Sequence, residues 1–67
     1  MEFQLNGEYI ELIQLLKAAG FAESGAMAKI FVDEGAVVVN GNVEQRRRNK
    51  IRRGDVVEFE GNRVKVV

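Results

Sequence analysis

The spacing of apolar residues predicts an amphipathic helix in the first third of the chain. From residue 9 to residue 19 the apolar positions recur every three or four residues, which is typical of a helix with one face on a core. These positions are Tyr9, Leu12, Ile13, Leu16 and Ala19, with Ile10 and Leu15 beside them. Asn6 is a candidate N-cap for this helix, and Gly20 predicts its end.

A second helix is predicted from Ser24, a good N-cap residue, to Gly35. Only residues 20–23 separate it from the first helix, so we expect the two to form a helix–turn–helix hairpin. Its predicted core side consists of Ala26, Met27, Ile30 and Phe31. At about 100° per residue, the opposite side carries Gly25, Lys29 and Asp33.

Strand patterns occupy the remainder of the chain. Residues 2–5 alternate between polar and apolar side chains and predict a short first strand. The later predicted strands are 36–39, 42–45, 56–60 and 63–67, and the predicted turns are Asn40-Gly41 (type I′), Arg53-Gly54-Asp55 and Gly61-Asn62. The order of elements predicts an α+β fold, in which a two-helix hairpin packs on a small, mostly antiparallel sheet, within a single domain of residues 1–67.

Composition narrows the class of protein. The chain has 67 residues, 46% of them hydrophobic, which suffices for the core of one small domain. It has no cysteine, and therefore neither a disulfide framework nor a thiolate metal site. No apolar run approaches the roughly 20 residues of a membrane span. The N-terminus lacks the basic start and apolar run of a signal peptide, so we expect a cytoplasmic protein with no membrane partner.

The chain offers little for catalysis. It has no histidine and no cysteine, which removes the commonest general base and the best nucleophile. Asp33 and Glu34 are adjacent and point apart on a helix, and no phosphate-loop or dinucleotide glycine motif is present. We expect a non-catalytic protein that requires no cofactor and no metal.

Positive charge is concentrated in one stretch. The formal net charge is zero, yet residues 1–45 have two basic and seven acidic residues, a net of −5, and residues 46–67 have eight basic and three acidic, a net of +5. Residues 46–53, Arg-Arg-Arg-Asn-Lys-Ile-Arg-Arg, hold six of the ten basic residues and are called the basic segment below. Such a field attracts polyanions and predicts contact with nucleic acid phosphates. The alternative is a merely solvated charge run, although Ile51 indicates a segment anchored to a core.

Three stretches together resemble the RNA-binding domain named after small-subunit ribosomal protein S4. They are residues 24–30 (Ser-Gly-Ala-Met-Ala-Lys-Ile), 34–41 (Glu-Gly-Ala-Val-Val-Val-Asn-Gly) and 53–57 (Arg-Gly-Asp-Val-Val). Within that family the chain looks most similar to the stand-alone bacterial proteins of the YbcJ/YaaA type. The resemblance implies the alpha-L motif fold and binding of structured RNA, with ribosomal or transfer RNA as candidates. Ribosomal or assembly-factor proteins are further candidate partners.

Candidate RNA-binding residues lie in the basic segment and at the start of the second helix. The broader family often has Arg after the Ser that opens this helix, where this chain has Gly25. A helix N-terminus offers unpaired amides suited to phosphate, and a glycine lets a backbone approach closely. The alternatives are that Ser24 only caps the helix and that Lys29 pairs with Asp33. The predicted RNA-binding residues are Ser24, Gly25, Lys29, Arg46, Arg47, Arg48, Lys50, Arg52 and Arg53.

An extended basic segment would present its cations on alternate sides. One side would carry Arg46, Arg48, Lys50 and Arg52, and the other would carry Arg47, Asn49, Ile51 and Arg53. Arginine favours planar contact with phosphate, which suits folded RNA read by its shape and backbone. Only five residues are aromatic, and the pattern assigns Tyr9 and Phe31 to the core. We therefore do not expect a platform that stacks several bases.

A protein-interaction or assembly adaptor is the alternative function, in which the basic segment binds an acidic partner. Competition with added RNA would distinguish the two functions, because RNA should displace the acidic partner if the basic segment is an RNA-binding site. DNA is disfavoured because neither predicted helix has a basic face able to enter a major groove.

Overall fold

Two helices and seven short strands make up the fold in the computed structural model, which describes residues 1–67. The helices are α1 (Leu12–Ala18) and α2 (Gly25–Asp33). The strands are β1 (Glu2–Phe3), β2 (Ile10–Glu11), β3 (Val37–Val39), β4 (Asn42–Val43), β5 (Lys50–Ile51), β6 (Val56–Phe59) and β7 (Asn62–Val66). The predicted α+β class, with a two-helix hairpin on a mostly antiparallel sheet, is confirmed. Neither helix is long and apolar enough to cross a membrane.

Five strands form the main sheet in the order β1-β7-β6-β3-β4, and only the β1–β7 pair is parallel. Alternation along β6 and β7 turns one set of side chains toward the helices. The fully buried residues of helices and sheet are Leu12, Leu15, Leu16, Ala28, Val32, Val37, Val57, Val64 and Val66. β2 and β5 form a separate antiparallel ribbon beside this core, and that ribbon positions the basic segment.

The first helix starts later than its apolar spacing predicts. Ile10 and Glu11 pair with β5 as strand β2, so α1 begins at Leu12 rather than at Tyr9. The prediction that Tyr9 lies in the core is wrong, because this side chain is 42% exposed. The predicted cap at Asn6 is also wrong, since Glu11 occupies the N-cap position and its side chain makes no capping bond. The predicted stop at Gly20 is confirmed, with a positive φ of 82° just after the helix.

The second helix has the predicted ends but a different buried side. The Ser24 hydroxyl accepts a hydrogen bond from the Met27 amide at 3.2 Å, and Gly35 follows the last turn with φ 75°. Its buried residues are Ala28 and Val32, whereas Met27 is 38% and Ile30 53% exposed. The predicted core side was therefore wrong for Met27 and Ile30, and also for Ala26, which is exposed. Apolar residues lie on nearly every side of this helix, so their spacing alone did not identify the buried one.

The hairpin turns follow local backbone chemistry. Asn40 and Gly41 both have positive φ angles, 51° and 85°, which confirms the predicted type I′ turn between β3 and β4. Between β6 and β7 the turn residues are Glu60 and Gly61, also with positive φ. The predicted Gly61-Asn62 turn was wrong by one residue, because Asn62 pairs with Phe59 as the first residue of β7.

Candidate RNA interface

The basic segment crosses the N-terminus of α1 and caps it with backbone atoms. The Leu12 amide donates to the Asn49 carbonyl at 2.9 Å, and the Ile13 amide donates to the Arg47 carbonyl at 3.2 Å. First-turn amides have no partner within their own helix, so these two carbonyls satisfy donors that the Glu11 side chain leaves free. Because the backbone of the segment faces the helix, its charged side chains are held at the surface.

Ile51 anchors the segment to the core, as its position in the charge run suggested. It is fully buried in β5 and pairs with Ile10 of β2. The segment is not extended throughout, however. The Asn49 amide donates to the Arg46 carbonyl at 3.1 Å, which closes a turn, and only Lys50–Ile51 forms a strand.

An open depression of about 420 Å³ lies on the outer side of the segment. Its lining residues are Arg46, Arg48, Asn49, Lys50 and Arg52. The structure therefore brings together the four cations that alternation places on one side, although the turn at residues 46–49 adds Asn49 to them. Their contact with RNA stays a prediction.

Glu44 holds the start of this segment in place. Its carboxylate accepts from the Arg46 amide at 3.0 Å, from the Arg46 guanidinium at 3.0 and 3.1 Å, and from the Asn49 side-chain amide at 3.1 Å. The Arg46 side chain is 76% exposed while that of Glu44 is 15% exposed, so the cation covers the carboxylate and still faces solvent. Hydrogen bonds from the side chain and backbone of Arg46 lower the pKa of Glu44 below its ordinary value of 4.5.

Arg47 points away from the depression and pairs with Asp33 at the C-terminal end of α2. Its Nε donates to Asp33 Oδ1 at 2.9 Å, and its Nη2 donates to the other carboxylate oxygen. The hydrogen bonds and charge of Arg47, with a smaller contribution from the charge of Lys29, lower the pKa of Asp33 below 3.8. Lys29 itself forms no ion pair with Asp33, so the alternative of an intrahelical pair is not observed.

Arg53 is also committed within the fold. Its two terminal nitrogens donate to the carbonyls of Gly7 at 2.7 Å and Leu5 at 2.9 Å. These bonds tie the chain between β1 and β2 to the end of the basic segment. Arg53 thus lies outside the group of cations that line the depression.

Asn40, just after β3, bonds to Asp55, just before β6, at the same end of this strand pair. The Asn40 amide donates to Asp55 Oδ1 at 3.0 Å, and its side-chain oxygen accepts from the Val56 amide at 2.8 Å. The second oxygen of Asp55 accepts from the Arg52 amide at 2.8 Å. The Asn-Gly and Gly-Asp pieces of the motif therefore act in turn geometry, and they fix where the basic segment ends.

The predicted patch at the start of α2 stands apart from the basic segment. Ser24 caps the helix, and a Cβ at Gly25 would meet no atom within 4 Å, so this helix end is open. No hydrogen bond or ion pair joins Ser24, Gly25 or Lys29 to the basic segment. The nine residues of α2 span about 12 Å, and the far end of the helix carries Asp33, which binds Arg47. Arg47 thus joins the basic segment to the end of α2 opposite Gly25.

Sequence reasoning missed Tyr9 as a surface residue. The Lys50 ammonium lies 5.0 Å from the centre of the Tyr9 ring, and Lys50 also lines the depression. The helical spacing from Tyr9 to Ala19 concealed it, because the strand that follows Tyr9 pairs with residues about 40 positions later.

Comparisons with known proteins agree with this arrangement. A family model described as S4 domain matches residues 3–67. YbcJ of Escherichia coli, whose name provisionally describes it as RNA-binding, is 52% identical over 59 residues, which cover 88% of this chain and 84% of YbcJ. RlbA of Bacillus subtilis, provisionally named a ribosome maturation protein, is 47% identical over 57 residues, covering 85% of this chain and 80% of RlbA. The solution structure of YbcJ, described as revealing an alpha-L motif involved in RNA binding, has a TM-score of 0.76 and 49% identity, and the match covers 98% of this chain and 85% of YbcJ.

Proposed function

The chain belongs to the S4 domain family, and on that premise we infer that it is an RNA-binding protein that recognises structured RNA and does not catalyse a reaction. The depression beside the basic segment carries this proposal. Arg48, Lys50 and Arg52 line it without forming a salt bridge in the protein. Arg46 adds a fourth, largely exposed cation.

The backbone that carries these cations is held before any RNA arrives. Two helix amides, the buried Ile51 and the Glu44 carboxylate fix its path. A held segment loses less conformational freedom on binding than a flexible basic tail, so more of the phosphate attraction is available for affinity. A fixed spacing of charges also favours a folded RNA, whose phosphates have fixed positions.

The distribution of charge along the chain also supports the basic segment as the RNA-binding surface. Residues 1–45 have a net charge of −5 and residues 46–67 a net of +5. Four of the cations of residues 46–67 line the depression, so a polyanion is attracted to that face, which favours one orientation of approach.

The similarity to RlbA supports ribosomal RNA, met during ribosome maturation in the cytoplasm, as the RNA class. Transfer RNA is the second candidate, and ribosomal or assembly-factor proteins are proposed as neighbours in such a complex. YbcJ supports the coarser conclusion of RNA binding.

The predicted residues differ in their proposed roles. Arg46, Arg48, Lys50 and Arg52 form the primary contact, because they line the depression. Ser24, Gly25 and Lys29 form a second contact on α2, where Gly25 lies about 12 Å and Lys29 about 6 Å along the helix from Asp33, the partner of Arg47. Arg47 and Arg53 have partners within the protein, so we expect them to contribute less to affinity.

Salt dependence tests the proposal directly. With about four phosphate contacts, log K for a folded ribosomal RNA fragment should fall against log salt with a slope of about −3 to −4. Binding is measured by anisotropy of labelled RNA over a salt series. A slope near zero, or displacement of RNA by an acidic protein but not by other RNA, would contradict a phosphate-binding surface.

A further inference from the structure

We propose that Tyr9 is a base-stacking residue, and that the interface holds one unpaired nucleotide beside the phosphates of a folded RNA. This inference rests on the proposed RNA binding and adds a second kind of contact to the same surface. It concerns the ribbon formed by β2 and β5, which carries the middle of the basic segment.

The register of the ribbon places Tyr9 on the cationic face. Ile10 pairs with Ile51, and Glu11 pairs with Lys50. Continued by one residue, this register sets Tyr9 opposite Arg52. Side chains alternate between the two faces of a ribbon, so Tyr9 shares a face with Lys50, Arg52 and Glu11, while Ile51 is buried on the other face. The 5.0 Å separation of the Lys50 ammonium from the Tyr9 ring centre agrees with this placement.

Tyr9 is the one exposed aromatic residue, whereas Phe3, Phe21 and Phe31 are partly buried and Phe59 is buried. Tyr9 is 42% exposed, and its hydroxyl makes no hydrogen bond within the protein. The other rings are engaged in packing: Phe31 stacks on Phe59 at 4.5 Å between centroids, and Phe21 lies 6.1 Å from Phe59. Phe3 packs against the core. One exposed ring can stack one base, which differs from the multi-base platforms of single-strand binders.

The charges beside the Tyr9 ring indicate which kind of nucleotide it would bind. An ammonium group over an aromatic face is attracted by the ring, so Lys50 restrains the orientation of Tyr9. The same ammonium and Arg52 can bind the phosphates that flank a base stacked on the ring. Phosphate contacts alone fit any duplex, whereas a ring beside them favours a site where a nucleotide is unpaired, such as a bulge or a helix–loop junction.

The experiment uses three labelled hairpin RNAs that share one stem. One has a single bulged nucleotide, one has an abasic residue at the bulge, and one has no bulge. Because Tyr9 is the chain's single tyrosine, protein containing meta-fluorotyrosine gives one fluorine NMR resonance from the proposed site. We expect the bulged hairpin to shift this resonance and to bind more tightly than the abasic hairpin.

Matched variants distinguish the effect of losing the ring from the effects of losing the hydroxyl and of unfolding. Tyr9→Leu should weaken binding of the bulged hairpin by roughly fivefold to a hundredfold, the range for loss of one stacked base. Tyr9→Phe keeps the ring and should bind within about twofold of the parent protein. Circular dichroism checks that both variants fold. In Tyr9→Leu the difference between the bulged and abasic hairpins should disappear.

Two other outcomes overturn the proposal in distinguishable ways. If all three hairpins bind the parent protein and Tyr9→Leu equally, or shift the resonance equally, then the ring stacks no base and the proposed RNA binding stands. If the parent protein binds none of the hairpins even at low salt, where phosphate attraction is strongest, both the proposed function and this inference fail.

Discussion

The carbonyl oxygen of Asn49 accepts a hydrogen bond at 2.9 Å from the amide of Leu12, the first residue of α1. A residue of the basic segment thereby completes a helix that begins 37 positions earlier in the chain. The Arg47 carbonyl does the same for Ile13. The same stretch of backbone thus caps α1 with its carbonyls and carries the charged side chains. The geometry of the candidate interface therefore depends on the position of α1 in the core.

We expect changes at Ile51 to affect stability before affinity. Ile51→Val removes one buried methylene and should cost about 1 kcal/mol in the free energy of unfolding, while Ile51→Ala should cost about 2–5 kcal/mol. RNA affinity of the folded Val variant should be unchanged. Urea unfolding and anisotropy of labelled RNA measure the two quantities. Weaker RNA binding by fully folded Ile51→Val would contradict this expectation and show that the Ile51 side chain also positions the cations.

Neutralising the cations that line the depression should weaken RNA binding without unfolding the protein. The variant Arg48→Gln, Lys50→Gln, Arg52→Gln should lose about tenfold or more in affinity at moderate salt. Exposed charges contribute little to stability, so its melting temperature should barely change. The matched control is Lys17→Gln, Arg63→Gln, Lys65→Gln, which makes the same change in net charge elsewhere. Equal losses in both variants would mean that net charge, and not this surface, determines affinity.

Substitution of Arg53 should reduce stability more than RNA affinity. Its bonds to the Gly7 and Leu5 carbonyls hold the N-terminal segment, so Arg53→Gln should lower the free energy of unfolding by about 1 kcal/mol, with a smaller effect on RNA binding. Thermal unfolding and RNA anisotropy measure the two effects. An Arg53→Gln protein of normal stability that binds RNA poorly would place this residue in the interface.

Stability should decline in acid through Asp33 and Glu44. Their ordinary pKa values are 3.8 and 4.5, and their arginine partners lower both in the folded protein. The folded state therefore binds fewer protons than the unfolded state, so this stabilisation is fully present above about pH 5 and is lost as the pH falls through the folded pKa values. Both sites are partly solvated, which limits the effect.

The variant Asp33→Asn, Glu44→Gln tests this linkage. It should be less stable than the parent protein at pH 7, and the difference should shrink as the pH falls toward 3, where the parent carboxylates are protonated in the unfolded chain. Urea unfolding at a series of pH values measures it. A difference that stays constant over this range would show that the ion pairs do not stabilise the fold.

Substitutions at Gly25 test the second patch. A side chain at this position meets no neighbouring atom, so folding should be intact. Gly25→Glu should weaken RNA binding by repulsion, Gly25→Arg should tighten it, and Lys29→Ala should weaken it roughly fivefold. Gly25→Ala is the control for helix propensity. Unchanged affinity in both charged Gly25 variants would mean that this helix end faces away from RNA.

Features decided by neighbouring residues could be predicted from the sequence. The Ser24 cap, the Asn40-Gly41 turn and the stop at Gly20 each depend on a residue type at one position. The grouping of Arg46, Arg48, Lys50 and Arg52 around the depression agrees with the prediction, but the extended segment assumed for it is wrong, because residues 46–49 form a turn and only Lys50–Ile51 is a strand.

Features that depend on pairing with distant residues could not be predicted from the sequence. Tyr9 and Ile10 continue the helical spacing of α1, and only the contact of β2 with β5 removes them from it. The partners of Arg47 and Arg53 are 14 and 46 to 48 positions away, so a run of equal-looking cations gave no sign of which were engaged. The exposed side of α2 was missed because apolar residues surround that helix.

Because the basic segment caps α1, RNA binding is coupled to folding of the chain. An unfolded chain has the same cations but not their spacing, so a folded RNA that prefers the spaced array binds the native state more tightly. Mass action then raises the free energy of unfolding by about 1.4 kcal/mol for each tenfold excess of RNA over its Kd. A domain of this size has little stability of its own to spare. Abundant RNA would therefore act as a chaperone for the chain, and protein without its partner would be the form most open to proteolysis.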